Sequence, residues 1–329
     1  MRAFGPNKVD ASGIGESWVD LAAVASKINR IEVETASGVT QAQRVNGVWT
    51  LPSRDGFPAK EEALQSLVRG LIALKKSQRM TAMPDRHGEL GLAWPDATGE
   101  ARLVRIYEEG SEAPAVEVLV GRSVQSPPGV YVRSPNEVQS WKCTGTLATQ
   151  ELPAAWLDGP VADIPADDLK SIECLGNVLT KENGQWSGKL ADGSTHAREA
   201  AMRSTLPYLL SGLAIDDARR ERPEDLAREG GVTASLRLDD QHTIDARLWR
   251  DADAVWVHLA PGECGDGATP EKLAQQSPKW QGWVFMLPKW KAAQYRGLFE
   301  DPTPPAPANP AAIAPDPGAP AIPLAPAPG

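Results

Sequence analysis

The chain has 329 residues, 41% hydrophobic and 23% charged, with a net charge of −9 and a pI near 5.1. That length exceeds one comfortable hydrophobic core and favours two domains. The acidic balance disfavours nucleic-acid phosphates as partners, and no run approaches the roughly 18–20 apolar residues of a membrane-spanning helix.

Residues 1–16 are Gly-rich and polar, without the apolar core of a signal peptide, and read as a flexible lead-in. Ser17 with Asp20 fits a helix start, and Leu21, Val24 and Ile28 supply its apolar stripe. Arg30-Ile31-Glu32-Val33 alternates as a strand. A second extended run ends at Asn46-Gly47, a pair suited to type I′ hairpin turns, and Trp49 lies in the returning strand. The best helix is predicted over 59–78, where Leu64, Leu67, Val68, Leu71 and Ile72 keep helical spacing. Pro58 precedes it, and Glu61 and Glu62 near its start oppose Lys75, Lys76 and Arg79 near its end, as the macrodipole favours. A short helical piece over 84–89 stops at Gly91, and strands are predicted over 103–107, 115–120, 130–132 and 138–143.

The same order then recurs. Ser171-Ile172-Glu173-Cys174 leads to Asn183-Gly184-Gln185-Trp186, again with Trp two residues past the turn glycine. A helix is predicted over 197–213 with a kink or break at Pro207. Residues 223–229 match 84–89, and strands are predicted over 233–238, 244–249, 254–259 and 283–287. Pro153, Pro160 and Pro165 place a boundary near residue 160. The fold class is therefore α+β: two tandem similar units, 17–160 and 161–300, each an antiparallel sheet packed by one main helix. From residue 301 the composition collapses to Pro and Ala, with eleven prolines before Gly329. That tail is predicted to be disordered, polyproline-like and solvated, a spacer rather than a dedicated ligand, since Pro302/Pro305 lacks a flanking Arg.

The order of pieces resembles a bacterial family known as a domain of unknown function (number 4340). Four features carry the resemblance. They are Ile28-Asn29-Arg30-Ile31-Glu32-Val33 followed by Gly47-Val48-Trp49-Thr50-Leu51; Asp55-Gly56-Phe57-Pro58-Ala59 opening a Leu-rich helix; Tyr131-Val132-Arg133 followed by Val138 and Trp141; and Trp156-Leu157-Asp158 followed by Ile164-Pro165-Ala166-Asp167-Asp168-Leu169. Together they cover about residues 15–300. The resemblance implies a setting: an extracytoplasmic part of the bacterial cell envelope behind an N-terminal transmembrane anchor, associated with ABC-2-type or gliding-motility-type transport systems. This sequence starts where that anchor would have just ended, so membrane association is expected only through a segment absent from it. The resemblance supplies no catalytic residues.

Eleven tryptophans invite a glycan-platform reading, above all Trp280, Trp283 and Trp290. Trp49 and Trp186 occupy equivalent repeat positions and, with Trp141 and Trp156, are expected in the core. The acidic pairs Asp239-Asp240, Asp251/Asp253 and Asp167-Asp168 lack the calcium-loop pattern and read as solvated turns. His87, His196, His242 and His258 lie in separate elements without zinc-site spacing, His258 being the one expected to be buried. The three cysteines, Cys143, Cys174 and Cys264, form no CxxC pattern, and both one disulfide and three reduced thiols fit. Gly13-Ile14-Gly15 lacks the third glycine of a dinucleotide fingerprint, and there is no P-loop and no GxSxG elbow. No catalytic, cofactor or metal residue is therefore assigned. The expected function is a non-catalytic accessory or scaffold that contacts protein partners, ABC transporter membrane components among them. The alternatives are a glycan- or peptidoglycan-binding module using Trp280, Trp283 and Trp290, and an enzyme of unrecognised type.

Overall fold

In a computed structural model of the chain, the described residues are 13–21, 25–96, 98–147, 153–188, 195–239, 242–265 and 267–299. Most of the lead-in, the whole Pro/Ala tail, Val24 and Asp240 lie outside them.

The first half runs β1 (Ile28–Thr35), β2 (Gly38–Val45), β3 (Val48–Leu51), β4 (Phe57–Pro58), α1 (Glu61–Ala73), β5 (Lys75–Arg79), β6 (Arg102–Glu108), β7 (Val116–Gln125), β8 (Pro128–Arg133) and β9 (Ser140–Thr144). The second runs β10 (Ser171–Cys174), β11 (Asn177–Glu182), β12 (Gln185–Ser187), α2 (His196–Ala200), β13 (Asp217–Arg220), α3 (Pro223–Leu226), β14 (Val232–Arg237), β15 (His242–Asp251), β16 (Ala254–Cys264), α4 (Glu271–Gln276), β17 (Trp283–Met286) and α5 (Lys289–Tyr295). The nine-stranded sheet has the order β4-β3-β2-β1-β6-β7-β8-β9-β5, and the eight-stranded sheet β12-β11-β10-β14-β15-β16-β17-β13. Apart from β4, the two orders correspond strand by strand. Both Asn-Gly turns take the left-handed backbone that the pair favours, Asn46 and Gly47 at φ 51° and 84°, Asn183 and Gly184 at φ 50° and 80°.

One contiguous buried cluster joins the inner faces of both sheets, from Leu21 and Ile31 through Leu64, Trp156 and Leu206 to Leu298. Two satellites lie on the outer faces: Leu92, Ala101, Leu103 and Leu119 beneath the 3-10 turn Pro84–Leu90, and Trp249, Trp256 and Val284 near α3. No helix among the described residues is long and apolar enough to cross a membrane.

Three expectations are corrected. Ser17 starts no helix: its backbone bridges Lys75, Gly15 N–H donates to the Lys76 carbonyl and Trp18 N–H to that of Leu74, so this stretch lies along the free edge of β5. The helix predicted over 59–78 ends at Ala73. Leu74 turns to ψ 127°, and Lys75–Arg79 continues as an edge strand on β9. The helix predicted over 197–213 is regular only over His196–Ala200, capped by Thr195, whose Oγ1 accepts from Arg198 N–H. It widens to a π-turn at Ala201–Thr205 and tightens to a 3-10 turn at Leu206–Tyr208. Pro207 donates no N–H and its ring crowds the preceding turn, which accounts for the irregularity. The polar edge strand β13 and the helices α4 and α5 are further elements that periodicity did not reveal.

Candidate functional site

Trp280, Trp283 and Trp290 do not share an exposed face. Trp280 is buried and its indole N–H donates to the Val161 carbonyl at 2.8 Å. Trp283 opens β17 and is buried edge-to-face against Phe57, with the Arg220 guanidinium 3.9 Å from its ring centroid. Trp290, on the solvent side of α5, is 65% exposed. The three positions fall on a loop, a strand and a helix whose burial demands differ, so a shared platform does not form. Trp49, Trp141 and Trp156 are buried and Trp186 is partly buried against the core.

Trp283 belongs instead to a seam between the sheets. Phe57 of β4 meets both Trp283 and Phe285. Arg54 pairs with Asp217, and Asp55 accepts from the Arg220 N–H at 3.0 Å. The Ala59–Leu157 bridge covers β4 from its far side.

The histidines also depart from expectation. His87 and His242 are buried, whereas His258 lies on a cleft wall with Nε2 3.1 Å from a Glu221 oxygen. His87 Nε2 contacts the Val138 carbonyl at 2.9 Å, and His242 Nδ1 faces both Asp239 oxygens at 3.0 and 3.1 Å. Of the acidic pairs, Asp167 binds Lys181, Asp168 binds Lys272 and Asp251 binds Arg228. The hydrogen bond from Lys181, with its charge, holds the Asp167 carboxyl below its ordinary range. Among the described residues no group of three or more His, Cys, Asp or Glu side chains is arranged to hold a metal ion. All three cysteines are free thiols, Cys143 and Cys174 buried and Cys264 exposed. Burial pushes Cys143 and Cys174 up to about 12, which leaves both as unreactive thiols at neutral pH.

The outer face of the first sheet is the most distinctive surface. Arg105 of β6 reaches Glu34 at 2.8 Å and Glu117 at 3.0 Å. Tyr107 donates to Glu32 at 2.9 Å, and the Arg30 guanidinium lies 3.8 Å from the Tyr107 ring centroid. Burial, then the hydrogen bond to Glu32, raises the Tyr107 pKa. Beside this polar lattice stand Val39, Val45 and Val48, each about half exposed. Val39 and Val45 are an even number of residues apart on β2, and Val48 is the cross-strand partner of Val45, so all three point the same way. Sequence reading missed this patch because valines are expected inside a strand's buried face, and only the pairing register shows which face they occupy.

Comparison with curated proteins and with solved structures gives no match. The sequence model of the family described as "Domain of unknown function (DUF4340)" matches residues 49–230, more than half of the chain. The match runs from β3 across the seam to the end of the α3 region, and the chain belongs to that family.

Proposed function

We propose that the protein is a non-catalytic accessory or scaffold component of a bacterial envelope assembly, on the extracytoplasmic side, acting with an ABC-type transport system through protein–protein contact. The family resemblance supports the setting. The single observation that carries the contact mechanism is the one-sided trio Val39, Val45 and Val48, exposed beside an ion-paired sheet face. Val45 and Val48 stand opposite each other across β2 and β3, with Val39 about 20 Å along β2 on the same face, and adjoining exposed apolar side chains mark interaction sites more often than scattered ones do. We also infer that the two halves descend from one duplicated module, supported by their matching strand orders and turn conformations. The Pro/Ala tail would then serve as a spacer between the body and its surroundings. The glycan reading loses its platform, because Trp280 and Trp283 are buried in the folded chain.

The test is a photo-crosslinking residue at Val48 in the full chain, expressed in cells that carry the transport system. Mass spectrometry should identify a transporter membrane subunit in the adduct. Val45→Asp with Val48→Asp should abolish the adduct and leave the far-UV circular dichroism unchanged. Crosslinks only to proteins unrelated to transport would overturn the reading.

A further inference from the structure

A groove of about 310 Å³ runs between α1 and the inner face of the first sheet. That volume is at the lower end of small-molecule sites, room for one short chain or one ring. Helix α1 seats on the sheet through Leu64, Leu67 and Leu71, all fully buried. Val68 and Ile72, four residues apart and so on one face of the helix, stay half-buried although they pack against the same core. With Leu64 they line the groove opposite Ile28 and Ile31 of β1, and its length is therefore apolar.

One end of the groove is charged. Arg44 of β2 has the parity of buried Ala42, so its side chain enters from the inner face and not from the solvent face that carries Val39 and Val45. It stands directly across from Trp49 in the pairing register, with the guanidinium 5.1 Å from the indole ring centroid. Its Nε is buried and has no hydrogen-bond partner. Glu61, on the exposed start of α1, lies 3.8 Å from Nη2, beyond hydrogen-bond reach, and the same Glu61 oxygen accepts from Gln65 at 3.1 Å. Arg44 is thus held by a ring face and a loose, solvent-screened ion pair, with a buried donor left over.

We propose that this groove binds a small amphiphilic carboxylate, its head on the Arg44 guanidinium and its short apolar tail along Ile28, Ile31, Leu64, Val68 and Ile72. A carboxylate can accept from Nε and one Nη of an arginine fork together, which satisfies the buried Nε and replaces the loose Glu61 as counter-ion. Removing the tail from water supplies the rest of the affinity. The groove lies on the opposite face of the sheet from the valine patch, so the site is independent of that contact surface and of the transport reading.

The test is amide chemical-shift mapping on the full chain, titrated in separate arms with hexanoate, with acetate as the head alone and with hexanol as the tail alone. Hexanoate should give saturable shifts centred on residues 25–31, 44–49 and 61–72, and should bind at least about tenfold more tightly than either of the other two. Arg44→Met should weaken hexanoate by about tenfold, the loss of one charge-assisted contact, and leave hexanol unchanged. Glu61→Gln, which removes the competing carboxylate, should not weaken hexanoate. If Arg44→Met fails to fold, Val68→Phe, which fills the groove from a half-buried position, must abolish hexanoate binding. Hexanoate shifts that stay linear, a footprint elsewhere, acetate or hexanol binding as tightly as hexanoate, or undiminished binding by a folded Arg44→Met or Val68→Phe variant would each overturn the assignment.

Discussion

The ring of Phe57, in the first sheet, stands edge-on to that of Trp283, in the second, with centroids 4.9 Å apart and planes at 85°. That geometry places the positive ring edge of one aromatic against the negative face of the other. Both residues are buried, so the contact couples the two sheets rather than decorating either. Phe57→Ala should cost about 3–5 kcal/mol, the usual range for a buried aromatic truncated to alanine. Urea denaturation followed by tryptophan fluorescence and by circular dichroism should separate into two transitions in the variant, if the seam is what makes the halves unfold together.

Asp225 lies almost wholly buried beside Arg219, at 2.5 and 2.6 Å, and also accepts from the Arg222 N–H. Burial raises its pKa, but the Arg219 hydrogen bond, the Arg222 amide and the two arginine charges together hold it below its ordinary 3.8. A carboxyl with a depressed folded pKa contributes stability that is present above its unfolded value and is lost as pH falls through the folded one. Asp225→Ala should destabilise by roughly 3–5 kcal/mol at pH 7, because it strands a partly buried guanidinium. Denaturation midpoints collected from pH 6 down to pH 3 should fall less steeply in the variant than in the parent.

Alkaline pH should act through the thiols. Cys143 and Cys174 have folded pKa values raised from 9.0 to about 12, so the stability tied to their protonated forms is intact below pH 9 and is lost as pH rises toward 12. Lys291 works in the opposite sense: burial lowers its pKa from 10.5, and the cost of its buried charge fades as pH rises toward that value. Cys143→Ala with Cys174→Ala should flatten the decline in denaturation midpoint between pH 9 and 11, whereas Lys291→Met should steepen it.

Gly297 sits in the last 3-10 turn, where a Cβ would approach the Ala197 carbonyl oxygen to 2.3 Å. Gly297→Ala must therefore push α2 and the C-terminal turn apart, at a cost of about 1–3 kcal/mol, the usual price of overpacking. Hydrogen exchange should speed up at residues 195–200 and 289–299 and stay unchanged in the first sheet.

How far the fold was legible depended on whether a residue's neighbours in sequence are also its neighbours in space. The Asn46-Gly47 and Asn183-Gly184 turns and the apolar stripe of α1 are local signals, and the structure has each of these elements in place. Strands β5 and β13, Lys75–Arg79 and Asp217–Arg220, carry almost no apolar alternation and are held by backbone pairing to β9 and β17, so periodicity is blind to them. The tryptophans were visible as a count, but the side of the molecule that Trp280 or Trp290 faces is set by tertiary packing. The valine patch was hidden for the same reason.

The strand order also shapes what happens on the ribosome. β1 emerges early and can zip to β2 at once, but its other edge has to wait until Arg102–Glu108 has been synthesised. The same delay recurs when β10 waits for β14 and β13 for β17. A nascent chain of this topology carries open strand edges for long stretches of translation, and such edges recruit neighbouring chains. Yield in a foreign host should therefore respond to holdase chaperones and slower translation more than to any change in the mature surface.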